Sequence, residues 1–507
     1  MKPRQLNFFG TKFKHTLWFI LLAELASFFV IWTKIAFDLS LFFYLIIFVL
    51  VFGLSLYKLK WGIYTALVEL IIGSQGHLFS IDIADFQVSI RIGIFSAIML
   101  AWLIKSVWQK TLIKEIKQVF QIKHLTILAI VLTWGIIQAF WQNNGLKNIF
   151  LDFNAWLYFL YIFPFVSVYT NNKFFSDFWP IFSAGLVAIS LKTMIFLFIF
   201  AHKFPIMGFL YTWGRDTLWG EFTLLNSGFF RIFSQAQIFA LIGFFIFWTY
   251  FSLKNKFNLK SKQNICLLIM IILLGSTILT SLSRSFWVGL IGGIIVYFLT
   301  LIFYYRKNLR QTALLFMTLL LIGVVSYGLV SAIINIPLPF YQSSTEKGSM
   351  IKDRFSVSDE AVSSRWSQLP ELGRAISKHP IVGSGWGRSI TYKSQDARIL
   401  TKDNPQGWYT TCAFEWGYLD ILLKIGLFGL LVYLVFIWQI IRKIYDSAKK
   451  KQSLEKTLLI GSLLGLLSLL LVNGFTPYLN HPLGIGYLLI LIIILLDVQP
   501  NTEPIKS

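Results

Sequence analysis

The sequence predicts an all-α polytopic membrane protein of about fourteen transmembrane helices, with one large outer loop between helices 11 and 12. Three observations carry this expectation. The 507 residues are 56% hydrophobic and only 13% charged, whereas a soluble domain carries roughly 25% charged residues. Apolar runs near the ~20 residues needed to cross a bilayer recur near 16–33, 37–57, 62–78, 90–104, 125–140, 155–170, 178–201, 234–252, 265–282, 285–305, 312–334, 416–441, 457–473 and 483–498. Only one long polar interval, 337–411, breaks the alternation. Irregular backbone in lipid would leave N–H and C=O groups unpaired at several kcal/mol each, so that interval caps the water side. The chain divides into an N-terminal bundle (1–334), the large outer loop (335–415), and C-terminal helices with a short tail (416–507).

The basic N-terminus, MKPRQLNFFGTKFKH, precedes an apolar run with no small-residue cleavage site, which reads as a retained first helix rather than a signal peptide. Lys and Arg are retained on the cytoplasmic side, and every second connector is the basic one. Lys58 and Lys60, then Lys105, Lys110, Lys114, Lys117 and Lys123, then Lys254, Lys256, Lys260 and Lys262, then Arg306, Lys307 and Arg310, then Arg442, Lys443, Lys449, Lys450, Lys451 and Lys456 fall on one side. Both termini are therefore expected in the cytoplasm of a multi-pass inner-membrane protein. The net charge of +22 would suggest nucleic acid in a soluble chain; here it reports topology, and no nucleic-acid partner is expected. Cys266 and Cys412 suggest neither a disulfide nor a metal pair.

The outer connectors are rich in aromatics, Asn and Asp, with isolated arginines. Arg215 and Arg231 come from one connector, and Arg284 sits in the turn SLSRS between two apolar runs, where it cannot snorkel far. Three guanidinium forks in such places suit a phosphate or pyrophosphate, which they bind bidentately. The plainer alternative pairs Arg215 with Asp216 or Glu221, makes Arg231 a surface anchor and uses Arg284 to cap helix ends. Glu415 lies where the cap returns to the membrane. Asp420 and Lys424 are i,i+4 neighbours and neutralise each other, which leaves Glu415 as the freer carboxylate, a base candidate if its site is dry; pairing with a nearby arginine is the alternative. Asp152, Asn154 and Glu69 are further polar candidates, with Glu69 also able to hold a neighbouring helix. Lys192 within the seventh run has no evident reason. His379 precedes Pro380 and the glycine-rich turn GSGWG, which matches neither a P-loop nor a dinucleotide fingerprint. No HExxH, paired CxxC or DxD-like pair points to a metal, and no cofactor is expected.

Several of these pieces are similar to the O-antigen ligase and polymerase superfamily. They are Ser283 to Trp287, Arg365 with Trp366, His379 to Gly387 in the form H-P-I-V-G-x-G-W-G, and Gly417 to Gly429 in the form G-Y-L-x-x-L-L-K-x-G-L-x-G. FRIFSQ around Arg231 and FTPYLNHPLGI resemble it too. The resemblance implies a metal-independent, multi-spanning membrane glycosyltransferase. Its substrate would be a glycan carried on undecaprenyl pyrophosphate at the outer face, with membrane lipid, a flippase and a chain-length regulator as partners. It places the pyrophosphate on Arg284, by motif, and on Arg215 or Arg231, by connector. Ligases of lipid A-core usually carry a His-Asn pair just before Y-L-x-x-L; here Glu415 and Trp416 stand there, which favours a polymerase or a divergent transferase. A ligase is the alternative within the family, and a transporter or flippase of lipid-linked oligosaccharide the alternative outside it. A transporter places its charges at the midplane in repeated halves, whereas this chain gathers them on one face. Within the cap, Arg365, Trp366, His379, Trp386, Trp408 and Tyr409 are expected to hold sugars.

Overall fold

The computed structural model describes residues 6–34, 38–83, 86–169, 174–225, 227–253, 260–338, 360–394, 399–401, 404–451 and 453–498. Lys254 and Lys256, much of the cap (339–359, 395–398 and 402–403) and the tail after 498 lie outside the described residues. Within them the protein is an all-α polytopic membrane protein.

Twelve described helices are long and apolar enough to cross a bilayer. In chain order the helices are α1 (Thr11–Thr33), α2 (Ser40–Tyr57), α3 (Leu59–Ile72), α4 (Ile90–Trp108), α5 (Leu112–Phe120), α6 (Lys123–Trp141), α7 (Leu146–Phe153), which runs through a 3₁₀ segment (Asn154–Tyr161) into α8 (Ile162–Tyr169), and α9 (Phe174–Ala201). They continue with α10 (Met207–Asp216), α11 (Ile238–Leu253), α12 (Lys262–Ser281), α13 (Arg284–Leu299), α14 (Leu309–Ile334), α15 (Glu360–Lys378), α16 (Gly417–Lys450), α17 (Ser453–Asn473) and α18 (Pro482–Val498). Each of the fourteen apolar runs forms one of these elements. The two runs outside the twelve are α3, with 14 residues, and α18, with 17. At 1.5 Å per residue α3 reaches only about 21 Å. It is buried along most of its length, so protein rather than lipid surrounds it.

Burial does not follow hydropathy, because a lipid-facing helix must be as apolar as a central one. The window of α11 is 94% buried, against 17% for α1 and for α2, although α11 is no more apolar than either. It lies inside the bundle, packed against α12, α17 and α9. The outer connectors are more ordered than their sequences suggested. Ser80–Ile83 pairs antiparallel with Phe86–Ser89, Glu221–Leu224 with Phe230–Phe233, and Ile390–Lys393 with Trp408–Thr411. The aromatics there are largely core: Trp213 and Trp219 are fully buried, with their indole N–H groups donating to Ser27 Oγ (3.0 Å) and the Ile72 carbonyl (3.2 Å).

Two intramembrane charges find partners on other helices. Lys192 donates to both carboxylate oxygens of Glu24 at 2.7 Å, and its ammonium lies over the rings of Trp213 and Trp219 at 4.3 and 4.2 Å. Glu69 accepts from Arg91 Nε at 2.9 Å, while Arg91 Nη2 donates to the Ser74 carbonyl at 2.9 Å. Glu69 thus holds α3 against α4. Burying a charge is tolerable only when it is paired and hydrogen-bonded; both pairs meet that condition.

Candidate active site

The serine-arginine turn joins α12 to α13. Leu282 takes a left-handed conformation (φ 44°) to reverse the chain, and Arg284 opens α13. Arg231 comes from the adjoining strand, Phe230–Phe233. Its Nε donates to the Ser281 carbonyl at 2.8 Å, its guanidinium stacks on Phe233 at 4.6 Å, and Glu221 Oε2 stands 3.6 Å from Nη1. Two of the three expected arginines therefore meet at one turn, both half-buried, beside the N-terminus of α13, whose free N–H groups add positive potential. Arg215 does not join them by any described contact. It is exposed on the last turn of α10, and among the described residues it pairs with neither Asp216 nor Glu221.

The connector between α17 and α18 completes the wall. Thr476 Oγ1 donates to Ser285 Oγ at 3.0 Å, and Tyr478 packs on Phe286 with ring centroids 6.0 Å apart. At its other end, Asn480 Nδ2 donates to Asp420 Oδ2 (2.6 Å) and to the Gly417 carbonyl (3.1 Å). One short connector thus ties the arginine turn to the start of α16.

The break in α16 explains the glycine-rich cap turn. Gly426 (φ 71°, ψ −179°) interrupts the helix and frees carbonyls and N–H groups that would be costly unpaired. The cap supplies them. Ser384 and Gly385 N–H donate to the Leu423 and Lys424 carbonyls at 2.7 and 2.9 Å, while Leu427 N–H donates to Pro380 and Phe428 N–H to Ile381. Gly385 (φ 79°) faces the backbone of Ala139 so closely that a Cβ there would lie 2.2 Å from its nitrogen. Trp386 corrects an expectation. It is 1% exposed, inserted against Phe153, Trp156 and Gly135, with Nε1 donating to the Leu132 carbonyl at 3.0 Å. It is the plug that seats the cap on α6 and α7, with no free face for a sugar.

Beneath this plug lies a buried ion network. Lys424 Nζ is 2.5 Å from Asp152 Oδ1, 2.7 Å from Asp420 Oδ1 and 2.8 Å from the Cys412 carbonyl, and Asp152 Oδ2 accepts from Gly387 N–H at 2.7 Å. The i,i+4 pairing of Asp420 with Lys424 is present. Asp152, across from it, is the partner that sequence spacing could not supply. The ammonium stands between the two carboxylates, in the place a cation would take.

Glu415 pairs with Arg365, and their side chains are 46% and 41% exposed. The dry, isolated carboxylate expected of Glu415 is thus not found; the pairing alternative is. Trp416 Nε1 donates to the Arg365 carbonyl at 3.1 Å, and its ring meets Trp366 and Phe475 at 5.4 and 6.0 Å. Trp366 and Trp408 are exposed, at 58% and 54%, and Tyr409 also faces outward. His379 Nε2 lies 3.2 Å from Gln142 Nε2, half-buried at the end of α15. Asn154 starts the 3₁₀ segment. Burial raises the pKa of the Cys412 thiol, which fits a packing residue.

Sequence reasoning did not single out His481, the residue after Asn480. Its ring is solvent-accessible, yet surrounding protein lowers its pKa, with Asp420 opposing and Lys424 and Arg91 reinforcing the shift. The only signal in the sequence was its position in NHP at the end of an outer connector.

Residues 268–434 match a family model described as O-Antigen ligase. No match was found among curated proteins. The matched stretch includes most of α12, the serine-arginine turn, the cap and α16 through its break; Arg231, Asp152 and the α17–α18 connector lie outside it. Over this stretch the chain is similar to the O-antigen ligase family.

Proposed function

We propose that the protein polymerises a surface polysaccharide. It would transfer glycan from an undecaprenyl-pyrophosphate carrier to an acceptor sugar hydroxyl at the outer face of the cytoplasmic membrane, with both termini inside. The observation that carries the reading is the meeting of Arg231 and Arg284 at one turn, through the Arg231 bond to the Ser281 carbonyl at 2.8 Å. A departing diphosphate accumulates negative charge in the transition state. Guanidinium groups already held in place beside a helix N-terminus stabilise that charge without reorganising. Arg215, exposed on α10, is assigned a weaker role in drawing the anionic headgroup toward the turn.

The acceptor glycan would lie under the cap, against Trp366, Trp408 and Tyr409, with Arg365, Glu415 and His379 as polar contacts. Transfer to a growing chain rather than to lipid A-core is favoured by the Glu415–Trp416 pair. Glu415 engages Arg365 and Trp416 engages Trp366, so both serve the cap and neither offers the imidazole a ligase usually has there.

The test is reconstitution of the purified chain with a lipid-linked repeat unit in EDTA. A ladder of lengthened lipid-linked products supports the polymerase. Transfer only to lipid A-core establishes the ligase, transfer that needs added magnesium overturns the metal-free mechanism, and movement of intact donor across the bilayer without transfer establishes a flippase.

A further inference from the structure

We infer that His481 is the general base that deprotonates the acceptor hydroxyl. The inference rests on the polymerase reading and adds to it the group that activates the nucleophile.

Position is the first ground. His481 ends the connector whose Thr476 docks on Ser285 beside Arg284 and whose Asn480 docks on Asp420. Its backbone is fixed at both sides, N–H to the Tyr478 carbonyl at 3.1 Å and carbonyl to the Ile485 N–H at 3.1 Å, so the ring is carried on a rigid corner. Accessibility is the second ground. The imidazole is open to solvent and makes no hydrogen bond to a described residue, leaving both nitrogens for a ligand. The same connector holds two buried polar atoms, Tyr478 Oη and Asn480 Oδ1, without a described hydrogen-bond partner.

Electrostatics is the third ground. The charged groups that face His481 are Asp420 and Lys424 on α16 and Arg91 on α4. Lys424 is shared with Asp152, and Arg91 is paired with Glu69. Tyr158 and Tyr161 of the 3₁₀ segment lie on the Arg91 side. Nearby protein, with Lys424 and Arg91, lowers the pKa of the ring against the opposing Asp420, which favours the neutral form a base requires. Glu415, in contrast, is half-exposed and already paired.

The step balances without a co-reactant. The acceptor oxygen forms its bond to the anomeric carbon as the bond from that carbon to the diphosphate oxygen breaks. The diphosphate leaves with the electron pair, and the hydroxyl proton passes to His481 and from there to water.

The experiment measures transfer rate against pH and equilibrium binding of an undecaprenyl-pyrophosphate-linked repeat unit, with the full chain in nanodiscs. The native rate should fall on acidification with a midpoint below the ordinary histidine value of about 6.5. H481A and H481Q should lose about 100-fold or more, retain donor binding, and lose the acid limb, and imidazole should restore part of the H481A rate. E415Q, whatever it does to the rate through acceptor binding, should keep the acid limb. A rate in H481A within about threefold of native, loss of donor binding with the rate, or an acid limb that follows Glu415 instead would overturn the assignment. No transfer by the native chain would overturn the polymerase reading and this assignment with it.

Discussion

Lys424 Nζ lies 2.5 Å from Asp152 Oδ1, a contact that joins α16 to α7 across 272 residues of sequence. Asp420 shares the same ammonium at 2.7 Å. Replacing Lys424 by Met would leave two facing carboxylates in a buried site, and removal of one partner of a buried pair costs about 3–5 kcal/mol. Asp152→Asn keeps one carboxylate against one ammonium and loses chiefly a charge-assisted hydrogen bond, about 1.5–3 kcal/mol. Thermal unfolding in detergent should therefore rank native above D152N above K424M. Equal stability of K424M and native protein would show that the network does not stabilise the fold.

Trp386 seats the cap rather than the sugar. Trp386→Ala removes a fully buried indole and should destabilise by about 3–5 kcal/mol, read as a lower unfolding temperature and faster proteolysis of the cap. Trp386→Phe should recover most of the packing while losing the bond to the Leu132 carbonyl. Glycan affinity should change in W366A and W408A, whose rings are exposed, and remain unchanged in W386F.

His77 gives the connector between α3 and α4 an acid sensitivity. Its pKa is pushed down to about 4, first by burial and then by the Arg91 guanidinium, with Asp82 opposing. The unfolded chain takes up a proton near 6.5 while the folded one stays neutral until about 4. Between those values the unfolded state binds more protons, so stability falls as pH drops through that window and is unaffected at pH 7. Unfolding temperatures of native protein and His77→Asn should diverge as pH falls from 6.5 toward 4, the variant losing less.

Much of the fold was legible because membrane spans are written in composition: every apolar run became a helix, and the runs were broken where basic or polar connectors stood. The internal structure of the outer connectors was not legible. Strands of four residues, such as Glu221–Leu224, give too short an alternation to separate from loop, and their order comes from aromatics such as Trp213 and Trp219 that pack inward. In the site, Arg284 was legible from its turn and Asp420–Lys424 from helical spacing. Asp152 on Lys424, Arg231 on the Ser281 carbonyl and Arg91 on Glu69 are contacts between separate elements, set by tertiary packing. Trp386 was misplaced among the sugar-binding faces because its flanking glycines signal a turn without saying what the turn inserts into. His481 was passed over because the groups that tune it, Asp420, Lys424 and Arg91, come from two other helices.

On the proposed function, the arginine turn holds the diphosphate. The most direct measurement is the length distribution of lipid-linked glycan made by Arg284→Ala, with membrane insertion checked alongside. Loss of polymer and accumulation of single repeat units in a normally inserted variant is the predicted result, with Arg231→Lys also impaired because an ammonium cannot replace a bidentate fork. Near-normal chain length in Arg284→Ala would contradict it.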